Sequence, residues 1–227
     1  MWTIRQKWDI GDLNMLLFGH MGITLAAGML VKGALVKQPA PEAEDGEIEA
    51  SSHLNTKKDS SSGSRISSLT LIKNHMDYRV LLIGSLLPDL IDKPLGDIFF
   101  YGAFQNGRII AHTLVFNILL TALAIYALKK WKSVWPLILA FGSVLHLILD
   151  QIWLEYYTFL WPLYGWSFPK VDTVDFFGWL PTMLYNLTTI VAIYVPEIIG
   201  FSILIWFAVR LIQKKQVYAF IRSGITT

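Results

Sequence analysis

Residues 134–156 read VWPLILAFGSVLHLILDQIWLEY, a long apolar run that contains His146 and Asp150 in its second half. A helix that spans a membrane needs about 20 mainly apolar residues, and this run meets that length. The sequence therefore predicts a membrane-spanning helix here. Ionisable residues inside such a helix are costly in lipid, so His146 and Asp150 are candidates for a functional role.

Four further apolar segments surround this one in the chain. They cover about Leu13–Val36, Arg79–Ile91, Arg108–Leu128 and Asn186–Ile212. The segment 79–91 has only about a dozen apolar residues before Asp89, too few to cross a hydrocarbon core of about 30 Å. We expect a kink at Pro88, with Ile98–Phe104 completing the span. The fold class is thus an all-α integral membrane protein, a bundle of about five transmembrane helices with one short or broken helix.

The composition supports this class and excludes others. Of 227 residues, 54% are hydrophobic and only 16% are charged, whereas a soluble domain has about 25% charged residues. The chain has no cysteine, which excludes a disulfide scaffold and a thiolate zinc finger. The net charge of +2 gives no strong attraction to nucleic acid, so no nucleic-acid partner is expected.

We expect residues 1–227 to form a single transmembrane domain that contains a disordered cytoplasmic loop at about 38–72. That stretch has five acidic residues between Glu42 and Glu49, followed by a run rich in serine and lysine. Few of its residues could compensate the entropy cost of ordering the chain.

The lysines and arginines indicate which side of the bundle faces the cytoplasm. With five spans, 13 of them lie on the side of the 38–78 loop and five on the other side. The clearest evidence is the short loop with Lys129, Lys130 and Lys132, which lies on the same side as the 38–78 loop. Because basic residues accumulate on the cytoplasmic side, the loop side is predicted to be internal. We therefore expect a multi-pass protein of the inner (cytoplasmic) membrane with an external N-terminus.

Seven ionisable residues from four segments fall toward the predicted external face. They are His20, Asp89, Asp92, Arg108, His112, His146 and Asp150. Arg108 and His112 are spaced i, i+4, as are His146 and Asp150, so each pair is expected on one helix face. Imidazole and carboxylate are the usual ligands of zinc and similar divalent ions. The sequence predicts one divalent metal, with zinc the leading choice, bound by His20, Asp89, His112, His146 and Asp150.

Each of these residues also has a simpler interpretation. A single histidine in a helix, such as His20, is more often a hydrogen-bonded packing residue. Asp89 after Pro88 could cap a turn, and Asp92 before Lys93 could be an interfacial charge. Arg108 could extend toward lipid headgroups. Outside the set, Glu197 beside Pro196 could cap a kink or face the site, and its role stays open.

The motifs that carry these residues resemble the YdjM-like family of inner-membrane proteins. The matching pieces are FGHMGITL, GSLLPDLIDKPLG, GRIIAHTLVFN, GSVLHLILDQIW and LWPLYGW, which together extend from Phe18 to Trp166. The resemblance implies a metal-dependent hydrolase. The stretch Gly107–Thr113 lacks one histidine of the usual family motif, and Asp92 stands one residue later than the family's common second aspartate. Both departures argue against a second bound metal ion.

The order of histidines and aspartates is also similar to part of the ligand set of zinc-dependent phospholipases C. This second resemblance maps onto His20, Asp89, His112, His146 and Asp150, but the later ligand motif of those enzymes has no counterpart here. It supports a metal site better than it supports a substrate.

The leading hypothesis is a membrane-bound metal-dependent hydrolase that acts on phosphoesters of lipids or lipid-linked molecules. Asp89 or Asp150 would serve as general base, and Arg108 would bind the transferring or leaving group. Its expected partners are membrane lipid and a lipid-like phosphoester substrate. The alternative is a non-enzymatic membrane protein that binds or transports a metal. A transporter should have polar groups along a path to both faces, and the predicted cytoplasmic side lacks them.

Overall fold

The computed structural model describes residues 17–37, 71–72, 74–170, 185 and 190–225. Within these ranges every regular element is helical and no strand occurs. We number the six main helices in chain order: α1 is Leu17–Lys37, α2 is Tyr78–Lys93, α3 is Leu114–Trp131, α4 is Trp135–Leu149, α5 is Val191–Gln213 and α6 is Val217–Ser223. The expectation of an all-α protein is confirmed for this part of the chain.

Three of the helices are long and apolar enough to cross a membrane. The spanning stretches are Leu17–Leu35 in α1, Leu114–Trp131 in α3 and Ile193–Gln213 in α5. Helix α4 is apolar but shorter, and α2 has 16 residues. The described residues thus support a membrane protein with several spanning helices, while a count of five crossing helices stays a prediction.

Helix α2 does not end at its proline. It continues through Pro88 to Lys93 and passes into a π-helical turn, Pro94–Phe99, and then into a short helix, Tyr101–Phe104. The π-helical turn lies close to the chain that follows it, because a Cβ atom on Gly96 would lie 1.9 Å from the carbonyl oxygen of Asn106. The interruption of the predicted second segment therefore lies beyond Lys93.

Glycine contacts bring the helices together in pairs. A Cβ on Gly84 of α2 would lie 2.4 Å from the carbonyl oxygen of Leu139 in α4, so the two backbones touch. A Cβ on Gly22 of α1 would lie 2.1 Å from the carbonyl oxygen of Gly200 in α5. Small residues permit such close approach where there is no water to drive helix association. The pairs α2–α4 and α1–α5 are fixed in this way.

An apolar core lies toward one end of the bundle. Its buried members include Leu25 of α1, Leu81 of α2, Ile138 of α4 and Phe207 of α5. Four of the five long helices therefore meet in one packed cluster, which holds them in register for the polar residues described below.

The C-terminal helix α6 docks on the start of α2. The amide of Tyr78 donates to the carbonyl of Gly224 at 3.0 Å, and Arg79 Nη1 donates to the carbonyl of Ile221 at 2.6 Å. Asp77 caps α2 by accepting from the amides of Arg79 and Val80. Partial burial raises the pKa of the Asp77 carboxyl, but hydrogen bonds from the Arg79 side chain and from both amides outweigh burial and lower it overall.

Some expectations fall outside the described residues. The predicted disordered loop at about 38–72 does so except for residues 71 and 72, which are helical. Everything before residue 17 and the stretch 186–189, where the fifth predicted helix was expected to begin, also lie outside them.

Candidate metal centre

The loop between the short helix 101–104 and α3 is held by hydrogen bonds to the carboxylate of Asp92, which is fully buried. Asp92 Oδ2 accepts from the amides of Ile109 at 2.8 Å and His112 at 3.1 Å, and Asp92 Oδ1 accepts from the amide of Ala111 at 2.9 Å. These amides would otherwise be unpaired in an apolar setting. Asp92 is thus an internal anchor and not the interfacial charge considered from the sequence.

This loop corrects the prediction that Arg108 and His112 share a helix face. Helix α3 begins only at Leu114, and Thr113 caps it by accepting from the amide of Phe116 at 3.1 Å. Arg108 and His112 lie in irregular chain before that cap. Apolar periodicity could not reveal this, because the loop is held by an aspartate from another segment.

A second set of hydrogen bonds fixes the loop against two helices. Asn117 Nδ2 donates to the carbonyl of Ala111 at 2.9 Å, and Ser143 Oγ donates to Asn117 Oδ1 at 2.8 Å. Both side chains are buried. Because Ser143 lies one turn before His146 on α4, the network connects the loop that carries His112 with the helix that carries His146.

Two buried imidazole rings face each other across this junction. His112 Nδ1 lies 2.8 Å from Asp92 Oδ2, and His146 Nδ1 lies 2.8 Å from the carbonyl oxygen of Ser85. A carboxylate and a carbonyl can only accept, so each Nδ1 carries the proton and each neutral ring has a lone pair on Nε2. The two Nε2 atoms are 3.3 Å apart. Two lone pairs at this separation repel unless a proton or a cation lies between them.

Two carboxylates lie within 4 Å of both nitrogens, and one of them, Asp89, forms a possible ligand group with His112 and His146. Asp89 Oδ1 lies 3.7 Å from His112 Nε2 and 3.8 Å from His146 Nε2. Asp150 Oδ2 lies 3.9 Å and 3.8 Å from the same two atoms. Two nitrogen ligands at about 2.0–2.1 Å from a tetrahedral zinc would be about 3.3 Å apart. The donor types and the spacing of the two nitrogens therefore fit a divalent ion such as zinc.

His20 approaches the same cluster from α1. Its ring stacks on that of His146 with centroids 4.2 Å apart, and its Nε2 lies 3.0 Å from Asp150 Oδ1. Neither of these two atoms has an aligned hydrogen bond among the described residues, although both are buried. Such unsatisfied atoms are costly, and a cation near them would remove part of that cost. His20, His146 and Asp150 form a second possible ligand group.

Glu197 of α5 positions the start of α1. It is 6% exposed, and its carboxylate accepts from the amides of Phe18 at 3.0 Å and Gly19 at 2.9 Å. An anion at a helix N-terminus satisfies free amides and the helix dipole together. Of the two roles left open for Glu197, the structure supports neither as stated. It binds the helix terminus next to His20.

Ion pairs connect the cluster to the surface. Arg108 Nη2 donates to Asp150 Oδ2 at 2.9 Å, while Arg108 Nη1 pairs with Glu155. Lys93 Nζ lies 2.6 Å from Asp89 Oδ2. Together with Asp92, the directly contacting groups among the described residues are four carboxylates and two cations, so their formal charge is −2 when the histidines are neutral. A divalent cation would balance that charge.

All seven polar residues singled out in the sequence belong to this one cluster or contact it directly.

The apolar pattern did not reveal Glu155, which lies five residues after Asp150, beyond the end of α4 at Leu149. The predicted fourth helix was expected to continue to Tyr156, but Gln151 adopts a left-handed conformation with φ 51° and the chain turns. Among the tryptophans that follow this helix in the sequence, Trp153 and Trp166 are exposed, and Trp179 lies outside the described residues.

Comparisons with known proteins give one match. The family model described as YdjM inner membrane protein matches residues 15–217. No curated protein and no solved structure matches the chain. The matched range includes every residue of the cluster described above.

Proposed function

The chain belongs to the YdjM inner membrane protein family, and from this premise we propose that it is a membrane-bound metal-dependent hydrolase acting on phosphoesters of lipids or lipid-linked molecules. The proposed ligands are His20, Asp89, His112, His146 and Asp150, and the proposed metal is zinc. Hydrolysis of a phosphoester needs an activated water, a proton acceptor and a group that stabilises negative charge.

One observation carries the proposal: the Nε2 atoms of His112 and His146 lie 3.3 Å apart. The opposite nitrogen of each ring is held by an acceptor, so both lone pairs point into the same space. Asp89 and Asp150 each place a carboxylate oxygen 3.7–3.9 Å from both nitrogens. A cluster built only for packing would avoid converging lone pairs and a net formal charge of −2, because both raise its energy.

The chain's own groups suit the remaining tasks. A divalent ion held by these residues would act as a Lewis acid and would lower the pKa of bound water toward neutrality. The second oxygen of Asp89 pairs with Lys93. Asp150 Oδ1 lies 3.0 Å from His20 Nε2 but makes no aligned hydrogen bond among the described residues. We therefore assign proton acceptance to Asp150 Oδ1 and orientation to Asp89. Arg108, which contacts Asp150, is assigned the stabilisation of negative charge on phosphoryl oxygens.

A lipid-like substrate is supported by the surroundings of the cluster. Helices α1 and α3 have membrane-spanning character, and each begins beside a histidine of the site. At the same end, Trp153 and Trp166 are exposed, and indole rings favour the interface between lipid and water. Lys93 and Glu155 are partly exposed, so a headgroup could reach the cluster from that interface.

The test is phosphoesterase activity of purified protein over a panel of lipid and soluble phosphoesters, with metal content measured in parallel. Wild type should be active. Arg108→Lys should keep the metal, because a cation still faces Asp150, but should lose about 100- to 1000-fold in rate through loss of the forked donor. Lys170→Gln is the matched control. It removes a cation that donates to the carbonyl of Gly102 at 3.5 Å, and it should retain full activity.

Absence of activity in metal-loaded wild type across the panel would overturn the hydrolase and leave the non-enzymatic metal-binding alternative. Equal losses in Arg108→Lys and Lys170→Gln would remove Arg108 from the reaction.

We further propose that the cluster faces the external side of the inner membrane, as the 13-to-5 distribution of basic residues predicts. Ser61→Cys introduces a unique thiol, since the chain has no cysteine. In intact cells this thiol should resist an impermeant reagent, and it should react after lysis. Labelling in intact cells would reverse the assigned orientation.

A further inference from the structure

The Arg108 guanidinium links the buried cluster to the partly exposed rim. Its inner nitrogen, Nη2, donates to Asp150 Oδ2 at 2.9 Å, and its outer nitrogen, Nη1, pairs with the carboxylate of Glu155. The two partners differ in exposure, since the side chain of Asp150 is 4% exposed and that of Glu155 is 27% exposed. One arginine fork is therefore shared between a buried carboxylate and a carboxylate that borders solvent.

Within the described part of the chain, the Glu155 carboxylate has no polar partner other than Arg108. It immediately precedes the short helix Tyr156–Phe159, yet it does not cap that helix through its side chain. The local chain is instead held by backbone bonds, with the Glu155 amide donating to the carbonyl of Ile152 at 2.9 Å. The turn would keep its backbone hydrogen bonds if the carboxylate moved away from Arg108.

We propose that Glu155 occupies, on Arg108 Nη1, the binding position of an anionic group of the ligand, a phosphate in the first instance. A guanidinium binds carboxylate and phosphate oxygens with the same planar geometry, so one anion can replace the other. The inference deepens the proposed hydrolase by defining an anion subsite beside its metal ligands, and it rests on that proposed function for the identity of the ligand.

Charge balance favours this exchange. Arg108 must stay paired while it is buried, because an unpaired buried cation is strongly unfavourable. Replacing the carboxylate of Glu155 with a singly charged phosphodiester leaves the formal charge around Arg108 unchanged. The released carboxylate moves into solvent at low cost because it is already partly exposed. Breaking the pair between Arg108 and Asp150 would cost more free energy, because the side chain of Asp150 is almost fully buried.

The experiment measures the affinity of metal-loaded, detergent-solubilised protein for inorganic phosphate by calorimetry. Glu155→Gln keeps the shape of the side chain and removes the competing charge. It should bind phosphate about 10- to 100-fold more tightly than wild type, the range expected when a charge-assisted hydrogen bond no longer competes. Asp97→Asn is the matched control. It removes one negative charge at the same end of the protein, where the Asp97 carboxylate lies against Gly107, and it should change the affinity less than about threefold.

A second comparison assigns the effect to the guanidinium. In an Arg108→Lys background, Glu155→Gln should raise the affinity for phosphate much less than it does in protein that keeps Arg108. Unchanged phosphate affinity in Glu155→Gln, or an equal gain in Asp97→Asn, would overturn the proposal. The same comparison on metal-stripped protein keeps this test separate from the metal site, because neither Arg108 nor Glu155 is a proposed metal ligand.

Two arms identify the source of the anion. In both, the binding of inorganic phosphate to Glu155→Gln is measured, once with phosphatidic acid and once with diacylglycerol in mixed micelles. If phosphatidic acid displaces the phosphate and diacylglycerol does not, a lipid headgroup is supported as the ligand. If phosphate binds but phosphatidic acid does not displace it, a soluble phosphate at the same subsite is supported. If neither phosphate nor phosphatidic acid binds to Glu155→Gln, the subsite is excluded.

Discussion

An aspartate that accepts several hydrogen bonds lies at each end of helix α2: Asp77 at the start and Asp92 near the end. We call each aspartate with its donors a hub, and the two hubs differ in where their donors come from. At the start of the helix, Asp77 accepts from Arg79 and Val80, its neighbours in sequence. At the other end, Asp92 accepts from three amides and one imidazole that lie 17 to 20 residues away. The side chain of Asp77 is 16% exposed and that of Asp92 is fully buried.

This difference separates a helix cap from a site scaffold. The Asp77 hub closes one helix and helps to dock α6, and water could replace part of it. The Asp92 hub has no solvent to replace its donors, and it determines both the path of the loop and the tautomer of His112. A ligand histidine whose second nitrogen is held by a carboxylate is a recurring feature of metal sites.

The largest predicted effect is that of Asp92→Asn. An asparagine has one acceptor oxygen, and its amide group would face backbone N–H donors that need an acceptor. We expect a loss of about 3 kcal/mol or more in unfolding free energy and a loss of bound metal. Thermal unfolding in detergent and metal analysis measure both. If Asp92→Asn unfolds at the wild-type temperature with full metal, the hub does not organise the site.

A smaller effect is predicted for Glu197→Gln. The amide side chain can still accept one hydrogen bond from Phe18 or Gly19, but the charge at the helix N-terminus is lost. The expected cost is about 1 kcal/mol in stability. Because α1 then holds His20 less firmly, metal affinity should fall by a few-fold. Ser202→Ala on the same helix, which removes only an exposed hydroxyl bonded to Ile198, is the control and should change neither quantity.

The smallest effect is predicted for Asp77→Asn, with unchanged metal content. The pKa of Asp77 is lowered in the folded protein, so its carboxylate contributes stability above the ordinary aspartate pKa, and this contribution is lost as the pH falls through the lowered value. Wild type should therefore exceed Asp77→Asn in stability near neutral pH, and the difference should vanish in acid. A difference that persists undiminished in acid would show that charge is not the cause.

The two hubs also explain what the sequence could and could not predict. His146 and Asp150 were paired correctly, because an i, i+4 spacing in an apolar run defines a helix face without outside information. The Asp77 cap likewise depends only on neighbouring residues. The apolar pattern predicts a helix from residue 108, but residues 108–113 form a loop, because the fully buried Asp92 that holds it lies in another segment and acts only once the chain has folded.

Glu197 illustrates the same limit. Its place beside Pro196 suggested a local role or a role in the site, whereas it binds a helix terminus 178 residues earlier in the chain. A buried acid in an apolar helix marks a polar contact, but the identity of its partner depends on which helices pack together. Here the close contact of Gly22 with Gly200 sets that packing, and no periodic pattern reveals it.

We infer that the donors at the Asp92 end of α2 bind a divalent metal. The most direct test is the metal content of purified protein, comparing wild type with His146→Ala and with Asp77→Asn as the variant at the other hub. We predict near-stoichiometric metal, chiefly zinc, in wild type and in Asp77→Asn, and a sharp loss in His146→Ala with the helical fold intact. Unchanged metal in folded His146→Ala, or no metal in wild type after zinc loading, would contradict the account.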